Sequence, residues 1–160
     1  MSRRFLVLSA LGLLVVGLLA AACSSGSDAG NTGPTDDGAD LTRTAEADGI
    51  TVDATWLTEE SAADVDADLS AYPLDRFVAV KIAFTTHSGD LNKIAMEEAA
   101  TLQTRTETLQ PEAWVSLSDD SHHREGVVVF SGGPETGSVE LLLELEGGEV
   151  SLQWETIPDS

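Results

Sequence analysis

The stretch VELLLELEGGEVSLQW, residues 139–154, decides the fold. Val139, Leu141, Leu143 and Leu145 alternate with Glu140, Glu144 and Glu146, and Val150, Leu152 and Trp154 alternate with Ser151, Gln153 and Glu155. A period of two puts successive side chains on opposite faces of an extended strand. Two such runs joined by Gly147-Gly148, a pair that accepts positive φ, predict a hairpin with one apolar and one polar face. The same period recurs upstream at Ile50, Val52, Ala54 and Trp56, and again at Val78, Val80, Ile82 and Phe84. Val127-Val128-Val129-Phe130 is apolar without interruption, which suits a strand covered on both faces, and Gly132-Gly133-Pro134 ends it. Asn92 to Ala100 has room for one helical turn. The acidic, alanine-rich segment Thr58 to Leu69 is expected to be a loop or short helix at one end of the sheets. The expected fold is therefore all-β: an immunoglobulin-like β-sandwich of about seven strands over residues 49–157. Trp56, Phe77 or Phe84, Phe130 and Trp154 are expected to fill the space between the sheets.

Upstream of this domain the chain changes character. Arg3 and Arg4 precede an uncharged apolar run, Phe5 to Ala22, which closes with Leu19-Ala20-Ala21-Ala22 and is followed at once by Cys23, the only cysteine. This resembles the signal peptide and lipobox of prokaryotic lipoproteins. The resemblance implies cleavage after Ala22, diacylglycerol on the Cys23 sulfur and an extracytoplasmic domain held to a membrane by that anchor. Ala20 stands where leucine is usual in the lipobox. Ser2-Arg3-Arg4-Phe5-Leu6 also resembles a twin-arginine export signal, but the stretch behind it is more apolar than such signals, which favours the general secretory route. Ser24 is not the aspartate associated with inner-membrane retention. Residues 24–48 are mainly Ser, Gly, Asp, Asn, Thr and Pro, too polar to offset their ordering entropy by burial. They are expected to form a flexible tether with a root-mean-square reach of about 25–30 Å. The expected segments are thus a signal peptide over 1–22, lipidated Cys23 with its linker over 23–48, and the sandwich over 49–157. With Cys23 acylated, no internal disulfide is possible, and the domain depends on its core for stability.

Removing residues 1–22 takes away two of the eight basic residues and none of the 28 acidic ones, leaving a net charge of −22. A chain so acidic lacks the basic face that a phosphate backbone requires, so nucleic acid is not an expected partner. An anionic lipid surface would repel it, which suits a body held off the membrane.

The candidate chemistry sits in two polar segments. His87 follows a strand in Thr85-Thr86-His87-Ser88-Gly89-Asp90-Leu91, and His122 and His123 precede another in Asp119-Asp120-Ser121-His122-His123-Arg124. If those strands pair antiparallel, the three imidazoles share one end of the sandwich. Together with Asp90 they are candidate ligands for copper or zinc. Adjacent histidines point to opposite sides of an extended chain, and the competing expectation is that they satisfy loop backbone groups. Asp64-x-Asp66-x-Asp68 has the opening of a calcium loop, but Leu69 occupies the position of the turn glycine and Asp75 that of the bidentate glutamate. An acidic solvated loop fits better. No catalytic residues are assigned: the nucleophile pairings Ser88/His87 and Ser121/His122 rest on sequence adjacency alone, and no phosphate-binding glycine loop is present.

The combination Thr86-His87-Ser88-x-Asp90-Leu91, then His122-His123-Arg124-x-Gly126, then Gln153-Trp154 resembles an uncharacterised extracytoplasmic β-sandwich domain of small lipoproteins. Gly89 departs from the bulkier apolar residue expected in that pattern. The resemblance implies no substrate. The expected function is a non-catalytic, lipid-anchored binding or interaction module. The alternatives are a metal-binding lipoprotein using the histidines, and an accessory subunit of an envelope protein complex that meets its partner through a sheet edge or apolar patch.

Overall fold

The computed structural model describes residues 41–133 and 137–155. The expected signal peptide, Cys23 and most of the expected tether lie outside the described residues. The strands are β1 (Thr42–Ala47), β2 (Ile50–Trp56), β3 (Phe77–Thr86), β4 (Ala100–Gln103), β5 (Thr108–Leu109), β6 (Pro111–Asp119), β7 (His123–Ser131), β8 (Val139–Leu145) and β9 (Gly148–Trp154). Among the described residues, helical structure is limited to α1 (Glu59–Ala62), a 3₁₀ turn at Leu91–Lys93 and α2 (Met96–Ala99). The strands form a five-stranded sheet, β1-β2-β3-β7-β6, and a four-stranded sheet, β5-β4-β8-β9. All pairings are antiparallel. The molecule is an all-β sandwich, as the alternation predicts, although the described residues hold nine strands rather than about seven.

The alternating runs supply the core between the sheets. Val52, Ala54, Val80, Ile82, Phe84, Val128 and Phe130 on one side meet Leu141, Leu143, Leu152 and Trp154 on the other, all buried. Trp56 and Trp154 pack with ring centroids 5.8 Å apart at 60°. Of the two phenylalanines considered for the core, Phe84 occupies it. Phe77 lies on the opposite face of its sheet, edge-on to Tyr72 at 5.4 Å.

Three expectations are corrected. First, the ordered domain begins before residue 49, because Thr42–Ala47 is strand β1, paired with β2 from Thr42↔Thr55 to Ala47↔Ile50. Arg43 occupies an inward-leaning position between Leu41 and Ala45, so a charge interrupts the apolar alternation and disguises the strand. The hairpin turn is Asp48-Gly49, with φ of 49° and 76°, the double positive φ of a type I′ turn. Second, the segment after β2 does not cap an end of the sheets. Ala62, Val65, Leu69, Tyr72 and Leu74 pack on the outer face of the five-stranded sheet over Leu57, Ala79, Val127 and Val129. This cover explains the uninterrupted Val127–Phe130: Val128 and Phe130 face the inner core, Val127 and Val129 the outer one. Third, the β8–β9 turn is Glu146-Gly147, since Leu145 pairs with Gly148. Gly148 carries the positive φ, 141°, and Gly147 is needed because a Cβ there would overlap the Asp48 side chain.

The edges of β1 and β9 are stitched together. Trp154 Nε1 donates to Leu41 O at 2.8 Å, Arg43 Nε donates to Gln153 O at 2.7 Å, and the Arg43 guanidinium lies 5.9 Å from the Trp154 ring centroid. The sandwich thus has two distinct ends. Leu41, where the chain enters β1, lies beside Trp56. The Asp48-Gly49 and Glu146-Gly147 turns lie at the other end, about 20 Å away along six residues of strand. Among the described residues no helix is long and apolar enough to cross a membrane.

Candidate functional site

The end remote from Leu41 collects the two histidine segments and the β8–β9 turn. Thr85 pairs with His123, so the end of β3 and the start of β7 are side by side. Thr86 N–H donates to His122 O at 3.0 Å. The buried Thr86 hydroxyl lies between the carbonyl oxygens of Gly49 (3.2 Å) and Ser88 (2.8 Å), tying the β1–β2 turn to the segment that leaves β3. Gly89 has φ of 93°, where any side chain would be strained, which accounts for its departure from a bulkier residue. Asp90 then caps the 3₁₀ turn, accepting from Asn92 N–H at 3.1 Å. Leu91 N–H donates to Ser121 O at 2.9 Å, and Asn92 Nδ2 to Asp119 O at 3.1 Å. These bonds fix the crossover from the five-stranded to the four-stranded sheet against the β6–β7 loop.

The three histidines share this end, but their rings do not converge. His122 Nδ1 is 3.2 Å from Ser121 Oγ, whereas His123 Nδ1 is 3.3 Å from Thr85 Oγ1. His87 is exposed. Among the described residues no three His, Cys, Asp or Glu side chains gather closely enough to hold a metal ion. His87, His122, His123 and Asp90 are not brought together as one such group. The divergence of His122 and His123 is the opposite-sides geometry of adjacent residues in extended chain. Asp120 accepts the backbone N–H groups of His122 (2.8 Å) and His123 (3.2 Å). Those two bonds, His122 first, hold its carboxyl below the usual aspartate range. Asp68 is likewise a local turn former: its carboxylate accepts from the Ser70 hydroxyl (2.6 Å) and N–H (3.1 Å), which lowers its pKa.

What the loops enclose instead is a cleft of about 510 Å³, open to solvent, at the mouth between the sheets. Ile50, Leu91, Ile94 and Leu145 give it an apolar floor. Acidic residues are among those that line it: Asp48 on the β1–β2 turn, Asp90 before the 3₁₀ turn, Glu98 in α2, and Glu144 and Glu146 at the β8–β9 hairpin. Among the described residues, Lys93 is its one cationic lining residue. No family model, curated protein or solved structure matches this chain.

Sequence reasoning missed the residue that holds the cleft floor in place. Arg124 opposes Phe84 on the inner face of β7 and is only 8% exposed. Its Nη1 donates to Leu91 O (3.1 Å) and Ile94 O (2.6 Å), bracketing the 3₁₀ turn. Its guanidinium lies 5.2 Å from the Trp114 ring centroid, and Nε faces Asp119 Oδ1 at 3.7 Å. The indole of Trp114 lies so close over Gly126 that a Cβ there would overlap it. The signal was present: Arg124 and Gly126 extend the inward register of Val128 and Phe130, and a charge and a glycine on a core stripe call for a partner.

Proposed function

We propose that this protein is a lipid-anchored extracytoplasmic binding module, non-catalytic, with the acid-lined cleft as its ligand seat. The observation that carries the reading is the placement of the cleft. It has a volume typical of small-ligand sites and joins an apolar floor to a few polar groups. It also lies at the end of the sandwich opposite Leu41, where the segment from Cys23 joins. The lipobox resemblance around Cys23 supports the anchor, and the net charge supports a body repelled by anionic lipid.

A sheet-edge interface with an envelope partner has less support. The long edge strand β6 begins with Pro111 and is interrupted by register shifts at Pro111/Ala113 and Ser116/Ser118, devices that discourage strand addition.

Two variants of the full chain in its host test the reading. Cys23→Ser should leave the membrane fraction and lose the lipid mass. Ala95→Trp, which fills the cleft from an exposed position, should abolish whatever small molecule co-purifies with the chain. A soluble wild type, or a co-purifying ligand retained by Ala95→Trp, would overturn the corresponding half.

A further inference from the structure

We infer that residues 58–75 form a detachable strap, which lifts off the five-stranded sheet while both sheets stay folded and so uncovers an apolar strip on that sheet's outer face. The inference is independent of the cleft, which no residue of the strap lines. Three observations converge on it.

The first is how the segment is held. It is pinned at its two ends: Leu57 N–H donates to Ala79 O at 3.0 Å, and Gly132 N–H donates to Arg76 O at 3.3 Å. Between these pins, among the described residues, every hydrogen bond made by residues 58–75 has its partner within 57–77. Lifting the strap therefore breaks no hydrogen bond to the sheet. The second is burial. No residue from Thr58 to Asp75 is buried, whereas Leu57, Ala79, Val127 and Val129 beneath them are at most 4% exposed. Attachment rests on half-buried side chains such as Val65, Leu69, Tyr72 and Leu74, each of which contributes only part of what a core residue would. The third is the separateness of the main core. The cluster between the sheets contains no strap residue, and β2 and β3 pair directly from Ile50↔Thr86 to Trp56↔Val80 without it. Opening restores conformational entropy to a long connection and leaves that core whole, which is the behaviour of a sub-global unit. The uncovered strip crosses three strands: Ala79 on β3, Val127 and Val129 on β7, and Ala113, Val115 and Leu117 packed beside them on β6.

The experiment compares two introduced thiols in the full chain in neutral detergent. Ala79→Cys places one beneath the strap, and Ala54→Cys places one between the sheets; both alanines are fully covered in the wild type. Iodoacetamide labelling is followed across urea concentrations below the global transition, and peptide mass spectrometry assigns the label to its position. Position 79 should label at least about tenfold faster than position 54. Its rate should also rise less steeply with urea, because less surface is exposed on opening than on unfolding. Tyr72→Ala removes a strap contact and should speed labelling at position 79 about tenfold. Val150→Ala weakens the main core in the closed and open forms alike, so it should speed position 54 about tenfold and leave position 79 unchanged. Should Ala79→Cys fail to fold, Val129→Cys, on the paired residue of the same face, carries the same comparison. Equal rates and urea slopes at the two positions would overturn the strap, as would Val150→Ala speeding both alike. Labelling at position 79 that ignores Tyr72→Ala would overturn it too, since the reagent would then reach the sheet without the strap leaving.

Discussion

Replacing Arg124 with methionine would remove its donors while keeping much of its apolar stem. In the wild type one buried guanidinium satisfies two carbonyl oxygens, Leu91 O and Ile94 O, and stacks on Trp114. A hydrogen bond to a charged group contributes about 1.5–3 kcal/mol, and a cation–π contact at a partly shielded site about 1 kcal/mol. Arg124→Met also releases the charged group's own desolvation penalty, so the net loss is smaller than the sum of these contributions, at about 3 kcal/mol. Arg124→Ala adds lost packing and should cost about 4 kcal/mol. Against a domain stability of 5–15 kcal/mol, either change is large. Equilibrium urea unfolding followed by circular dichroism reads the global loss. Amide hydrogen exchange reads its location: residues 91–99 should lose protection first, because their tie to β7 runs through this side chain. A loss below about 1 kcal/mol for Arg124→Met, with residues 91–99 as protected as before, would refute the role of Arg124 as the clip of the cleft floor.

Three further outcomes are expected. Gly126→Ala should displace Trp114 and cost about 1–3 kcal/mol, with tryptophan fluorescence shifted by the moved indole. A chain beginning at Gly49 loses β1 and strands the Trp154 Nε1 donor; its urea midpoint should fall well below that of a chain beginning at residue 36, and equal midpoints would contradict the assignment of β1. In a carboxyl NMR titration, Asp120 should ionise at lower pH than Asp120 in the unfolded chain. Because its folded pKa is depressed, its contribution is complete above the unfolded value and is lost as pH falls through the folded one. An unshifted titration would mean that the His122 and His123 N–H groups do not bind it in solution.

The parts of the fold legible in the sequence are those where one physical signal dominates. Val139–Trp154 could hardly form anything but a hairpin, because period-two alternation runs on both sides of a glycine pair; the exact turn was not legible, since the Gly147-Gly148 and Glu146-Gly147 registers both bury the leucines. Val127–Phe130 was legible as a doubly covered strand because polar residues are absent from both faces. β1 was hidden because its inward row, with Leu41 just before it, is Arg43, Ala45, Ala47: small residues and a charge whose guanidinium meets Gln153 O and the Trp154 ring. Asp48-Gly49 marked its turn all the same. The covering role of residues 57–76 depends on tertiary contacts that no local period encodes. The meeting of the histidine loops was legible from antiparallel pairing, while the direction of each ring was set by local partners, Ser121 for His122 and Thr85 for His123. The cleft draws its walls from five separate elements, so no single motif announces it.

The central claim is that the cleft between the Asp48, Ser88–Ala99 and Glu144–Gly147 segments is the ligand seat. A crystal structure of the full chain isolated from its native host, without added ligand, tests it most directly. The account predicts density for a bound molecule lying over Ile94 and Leu145, within reach of the acidic lining residues. Density for a ligand at another surface, such as the β6 edge, with side chains closed across the cleft, would contradict it.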